Sequence, residues 1–339
     1  MTRPYTTVAD VLRALSRLTR GRLFQGEPAG AARARSPHVV WKSSGIPGKE
    51  VLEIPGLIVG KRDRPVRRVA MGITLTENAI ELAGAMNVDL LICHHPVADG
   101  ASAGGVPLSQ YLGLYDLALI EVHEAFHGLH PGIPYLHGLD VVFRDTSFGG
   151  IPGNVVVVGE PLPEVRRLGD IPARLERFMG LGREESILEA ERAAVGTSAV
   201  ESAAVATRPR ILLGRPDDPV TGIIQVFPHS GTRPEHLEAL VTRFPWCNTV
   251  VASISRVRAG APLVDAAARM GLRFVLGNSH AMEVFENWVP LAHALAALLP
   301  GLEFLIWQER VSVVPLEFAG SPDLREYAAD IARHLLGEG

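Results

Sequence analysis

The sequence predicts a two-domain α/β protein in which a second α/β domain, residues 141–259, is inserted into a discontinuous first domain made of residues 1–140 and 260–339. Three observations carry that expectation. Residues 69–93 read as strand, helix and strand, residues 155–254 alternate further strand-like and helical runs, and the last third returns to the earlier rhythm. A chain of 339 residues can bury a large core, and its length favours two domains.

The elements follow in order. Val8, Val11, Leu12, Leu15 and Leu18 recur at helical spacing, which predicts a first helix rather than the charged-then-apolar pattern of a signal peptide. Residues 26–48 are rich in Gly, Pro, Ala and Ser and read as a long loop. The basic run 61–68 lies between the strand-like runs 57–59 and 69–71 and reads as a solvated turn, with an anion-binding patch as the alternative. Residues 69–74 and 88–93 are short apolar strands around a helix over 76–86. Thr76 is its expected N-cap, and Ala79, Ile80, Ala83 and Met86 form its apolar face. Two such strands around one helix make a βαβ unit. Residues 100–105 are a flexible connection, a helix begins near Pro107, and residues 117–122 are either the end of that helix or another strand. In the middle, helices are expected around 168–179 and 233–244, with strands at 155–158, 222–227 and 249–254. A helix over 262–270, a strand over 273–276 and a further helix after His280 complete the pattern.

Composition narrows the function classes. A hydrophobic content of 47% with 21% charged residues is that of an ordinary globular protein, and a net charge of −4 gives no pointer to nucleic acid. Cys93 and Cys247 are no disulfide framework, which fits a reducing compartment. The apolar stretch 291–307 is interrupted by Pro300, Gly301 and Glu303, so a membrane span is not expected, and the reading is a soluble cytoplasmic protein. The sequence holds no Walker loop, no G-x-S-x-G elbow and no His-Glu-x-x-His motif, which removes several familiar hydrolase types.

Histidines carry the functional signal. Six of the twelve, His94, His95, His123, His127, His130 and His137, fall between positions 94 and 137. His94 and His95 end the apolar run 88–93, with Pro96 behind them. In a continuing strand adjacent side chains would point to opposite faces, but a proline stops the ladder and delivers both imidazoles to the strand's C-terminal edge, where α/β sheets bind ligands. His123, His127 and His130 share one face if that segment is helical; His130 and His137, flanked by glycine and proline, read as structural. A second constellation, His280 and Glu283, stands three residues apart in the first turn of a helix after a strand and can chelate one ion. Glu283 is equally an ordinary acid favoured there by the helix dipole, and Glu286 is a competing candidate.

Together these segments resemble the Nif-three-like family. The likeness includes Ile54-Pro55-Gly56-Leu57-Ile58-Val59-Gly60, similar to the family's Asp-Asn-Val-Gly-Leu-Gln-Val-Gly segment, continues into Cys93-His94-His95-Pro96 and resumes over 261–298. The resemblance implies a two-domain fold of mixed sheets flanked by helices, a toroidal homo-hexamer and a dinuclear metal centre; some members are described as GTP cyclohydrolase 1 type 2-like. His94 and His95 fall on the family's paired ligands, and His280 and Glu283 near its C-terminal His and Glu, usually four residues apart rather than three. The family's strand-end His and the Asp four residues later land on His123 and His127, so that the aspartate is replaced by histidine; the Asp and Asn of the N-terminal segment are missing as well.

The implied metal ligands are therefore His94, His95, His127, His280 and Glu283, with Glu124 an alternative source of the missing carboxylate. A carboxylate can bridge two cations, whereas a neutral imidazole gives one nitrogen to one metal. One or two divalent transition ions per chain are expected, zinc favoured and Fe, Co, Ni or Mn the alternatives, over Mg or Ca. The chemistry implied is hydrolysis of a small, nucleotide-like or phosphorylated molecule by metal-activated water, with His123 or Glu124 as general base. The alternative is a non-catalytic metal-binding or regulatory hexamer serving as a scaffold.

Overall fold

The computed structural model describes the chain apart from residues 1–4, 27–29, 31–35, 44–46, 49, 96–106, 127–128, 130–131, 152, 228–230, 254–256 and 338–339, and the side chains of 42, 43 and 124. Helix α1 (Val8–Leu18) buries Val8, Val11, Leu12 and Leu15 on the predicted face, and the Thr7 N–H donates to Asp10 Oδ2 at 2.8 Å to fix its start. The expected loop over 26–48 needs correction at its end. Val40–Ser43 pairs antiparallel with Glu50–Glu53 across a turn in which Gly48 has φ 74°. A Gly/Pro-rich composition marks the turn but does not reveal the strand beside it.

Next come β1 (Gly56–Val59), β2 (Arg68–Gly72), α2 (Glu77–Ala85), β3 (Leu90–Cys93), α3 (Leu108–Leu114), β4 (Ala118–Glu121) and the short helices α4 (His123–Phe126) and α5 (Gly132–Leu136). The Thr76 side chain accepts from the Ala79 N–H at 3.2 Å and caps α2 as expected, while Met86 lies beyond its buried face. Residues 118–121 are a strand, fully buried like β3. The basic run 61–68 is a paired surface turn: Arg64 meets Asp116 at 2.6 Å, Arg68 meets Glu303 at 2.7 Å, and Arg62 donates to the Gln25 carbonyl.

The chain continues through β5 (Leu139–Asp145), β6 (Val156–Pro161), α6 (Asp170–Phe178), α7 (Leu181–Val195), α8 (Ala203–Ala206), β7 (Arg210–Leu213), β8 (Ile223–Val226), α9 (Pro234–Arg243), β9 (Thr249–Ala252), α10 (Pro262–Arg269) and β10 (Arg273–Leu276). It ends with α11 (Glu283–Leu298), β11 (Glu303–Ile306) and the exposed α12 (Pro322–Leu335). Sequence periodicity gives no sign of α7, because only Leu181 and Leu188 on it are buried.

Two mixed sheets organise these elements. One has the order β11-β2-β3-β4-β1, parallel except for β1; the other has the order β7-β10-β9-β8-β6-β5, with β8, β9 and β10 parallel. β10 thus hydrogen bonds within the second sheet, and α10 packs on it through Leu263, Val264 and Ala267 against Val250 and Phe274. The sequence reading groups these two elements with the first domain, because a helix-strand rhythm does not say which sheet the strand joins. α11 returns to the first sheet and sets Trp288, Leu291 and Leu295 into a core with Leu12, Val69 and Ile92. No helix among the described residues is long and apolar enough to cross a membrane.

Candidate metal centre

Parallel register brings the site together. Gly72 pairs with Cys93 and Cys93 with Glu121, so the residues that follow, Thr74, His94 with His95, and His123, leave the sheet along one C-terminal edge. The backbone N–H groups of His94 and His95 both donate to the Ile73 carbonyl, at 3.2 and 2.8 Å. That convergence ends β3 at Cys93. The histidines are released by their own hydrogen bonding to the neighbouring strand, ahead of Pro96, which lies outside the described residues.

The second sheet supplies the other half. Val226, Ala252 and Leu276 are in register, and the Gly277 N–H continues the ladder to the Ala252 carbonyl before the chain turns toward His280 and into α11. The first turn of α11 carries Glu283, a position favoured for an acid by the helix dipole. His94 Nε2 stands 3.4 Å from Glu283 Oε1, and His95 Nε2 stands 3.8 Å from Oε2. His94 and Glu283 are buried, and one ligating atom from each of His94, His95 and Glu283 falls within 4.8 Å of the others. His280 is at the rim, with Nε2 4.0 Å from Glu283 Oε2 and its ring 5.9 Å from that of His95.

Supporting contacts hold these side chains in place. Thr74 Oγ1 lies 2.9 Å from His95 Nδ1, leaving Nε2 directed toward Glu283. Asn287 Nδ2, one turn along α11, donates to Glu283 Oε1 at 3.0 Å, and the Trp288 ring meets His94 edge-on at 5.3 Å between centroids. His123 packs 4.8 Å from the His94 ring, and its Nδ1 donates to the buried Glu53 carboxylate at 3.1 Å.

The two candidate acids of α11 separate cleanly. Glu283 faces the imidazoles, whereas Glu286, fully buried, faces His137 Nδ1 at 3.5 Å. Burial pushes the Glu286 carboxyl well above its ordinary range, opposed by Asn278 and reinforced by the charge of Glu283. His137 is structural, as its setting suggested. Its Nδ1 donates to the Ile133 carbonyl at 2.8 Å, and its Nε2 accepts from the Asn278 N–H at 3.2 Å and from Ser253 Oγ at 3.1 Å. This arrangement needs the neutral ring, and burial pulls the pKa down to about 4 despite the Ile133 bond. Burial raises the Cys93 thiol far above neutrality, with Glu121 and Glu309 adding to the effect.

Of the residues singled out from sequence, the structure brings together His94, His95 and Glu283, sets His280 and His123 beside them, and turns Glu286 away. His127 and the Glu124 side chain lie outside the described residues. Sequence reasoning missed Thr74, Glu53 and Asn287. Thr74 was legible as the last, polar residue of the strand read over 69–74, and Glu53 as the acid just before the 54–60 segment; Asn287 becomes visible only as an i+4 partner once Glu283 is chosen.

A cation fits this setting. Glu283 Oε2 is buried and receives no hydrogen bond among the described residues, while two imidazoles face it at 3.8 and 4.0 Å. A buried carboxylate oxygen without a donor is costly, and a cation shared with the imidazole nitrogens would satisfy it. Nitrogen donors with one carboxylate suit a transition ion rather than Mg or Ca.

Residues 48–100 match the family model for Duf34/NIF3 (NGG1p interacting factor 3). No curated protein matches the chain in sequence. Among solved structures the chain is similar to reduced HcgD from Methanocaldococcus jannaschii, at 12% identity and a TM-score of 0.53 over 89% of this chain and 97% of that one. It is also similar to a Bacillus cereus protein related to NIF3, at 11% identity and a TM-score of 0.52 over 92% of this chain and 100% of that one. At such identities the likeness establishes the fold.

Proposed function

We propose that this chain, a divergent member of the Duf34/NIF3 family by its matched segment and its fold, is a metal-dependent hydrolase of a small phosphorylated or nucleotide-like molecule. The observation that carries the reading is the meeting of His94, His95 and Glu283 at one strand edge, with a buried carboxylate oxygen that has no donor among the described residues. These three residues, with His280 at the rim, would hold a divalent ion, zinc being favoured by the donor set.

When bound, such an ion supplies a Lewis acid and activates water for hydrolysis. The chain's own residues do the rest. Glu53 accepts from His123 Nδ1, which fixes the tautomer and makes Nε2 the basic nitrogen, able to take a proton from an attacking water. Thr74 orients His95, and Asn287 holds the Glu283 carboxylate in place. Trp288 and Phe126, stacked with centroids 6.5 Å apart, keep the floor beneath His94 apolar. A toroidal homo-hexamer belongs to the same proposal and is tested by light scattering.

Screening phosphoesters and GTP with the wild type and with His94→Ala and His95→Ala tests the activity. Turnover that vanishes in both variants supports the reading, and turnover that survives both sinks it.

A further inference from the structure

A cavity of about 500 Å³ opens beside the metal centre, between the end of α6, the first turns of α7, α8 and the segment that leads into α11. Its floor is apolar: Met179 and Met282 are buried, Phe285 packs against them, and Ala203 and Ala204 offer small side chains that leave the space open. One rim is polar and shared with the centre. His280 lines the cavity and stands 4.0 Å from Glu283, and Glu309, whose carboxylate accepts from the Thr74 N–H at 3.0 Å, lines it as well. Arg310 on the cavity wall is held by Glu184 at 2.9 Å and by Glu191 at 2.8 Å, and Arg183 lines the cavity as well.

Such a volume is that of a small-molecule pocket, and an apolar body with a few polar groups at one end is the usual plan of one. The geometry points to this cavity as the subsite for an aromatic or similarly apolar body of the substrate, whose hydrolysable polar end reaches the metal centre past His280. The inference rests on the proposed hydrolase reading, because the shared rim is what gives the ligand its polarity from one end to the other. Thioether and phenyl side chains suit a planar ring, and the two salt bridges of Arg310 withdraw that cation from a ligand. The predicted ligand therefore has one charged end and an apolar other end.

Two simple phosphate esters test it. Binding of 1-naphthyl phosphate and methyl phosphate to zinc-loaded protein is measured by fluorescence and by competition, with zinc content recorded for each sample. The wild type is expected to bind the naphthyl ester at least tenfold more tightly than the methyl ester. Ala204→Trp, which fills the cavity, and Ile187→Arg, which places a charge on its partly exposed wall, should each remove that preference and leave zinc content unchanged. The second variant keeps the test open if the first does not fold. Equal affinity of the wild type for both esters, or a preference that persists in both variants, overturns the assignment. A wild type that retains no zinc and still prefers the naphthyl ester contradicts the metal reading while supporting the cavity.

Discussion

His94 Nε2 lies 3.4 Å from Glu283 Oε1, a contact between the end of a buried strand and the first turn of a helix that follows the other sheet. Both side chains are almost wholly withdrawn from solvent. Glu283→Gln keeps the shape of the side chain and removes its charge, so metal affinity should fall by about a hundredfold or more. Glu286→Gln, one turn further along the same helix, should retain the metal. Isothermal titration of the two variants with zinc distinguishes the acids, and loss in the second with retention in the first would reverse their roles.

Thr74 tests the support of His95. Replacing it by Val removes the oxygen 2.9 Å from Nδ1 with little change in volume, and metal affinity should drop about 10- to 100-fold while the thermal unfolding midpoint barely moves. An unchanged affinity would mean that the threonine does not orient the ligand.

His123 and Glu53 form the predicted acid-base pair. His123→Ala should lower turnover by about 10²- to 10⁴-fold with metal content retained, and Glu53→Gln should cause a smaller loss and a shifted pH profile, because the tautomer is no longer fixed. Full activity in both variants assigns the base elsewhere.

The buried His137 and Glu286 act in opposite senses on stability. His137 has a folded pKa of about 4, below the unfolded value near 6.5, so it binds fewer protons when folded and its contribution is lost as pH falls from about 6.5 to 4. Glu286 has a raised folded pKa, so its contribution is present below the unfolded value near 4.5 and is lost as pH rises through the raised one. The two oppose each other across mildly acidic pH. Glu286→Gln should uncover the histidine slope, with about 3 kcal/mol of stability disappearing between pH 6.5 and 4. Denaturant melts over that range check it, and a flat profile in the variant would refute the assignment of a neutral buried His137.

Much of the centre is legible in the chain. An apolar run followed by two histidines, and a helix-opening acid three residues after another histidine, are local patterns, and local patterns are what periodicity and spacing reveal. Register is not local. That Gly72, Cys93 and Glu121 align, and so carry Thr74, His95 and His123 to one edge, depends on strand order, which no single segment encodes. The membership of β10 in the second sheet was hidden for the same reason, and α7 because a helix with two buried residues has almost no apolar stripe. The distinction between Glu283 and Glu286 arises from the helix's orientation, to which a spacing of three is blind.

The central claim is that His94, His95 and Glu283 share a metal ion. Anomalous diffraction at the zinc edge from zinc-loaded crystals tests it most directly. The account predicts a peak within about 2.3 Å of His94 Nε2, His95 Nε2 and a Glu283 carboxylate oxygen. Crystals grown metal-replete that show no peak there, or a peak only at surface histidines, would contradict it.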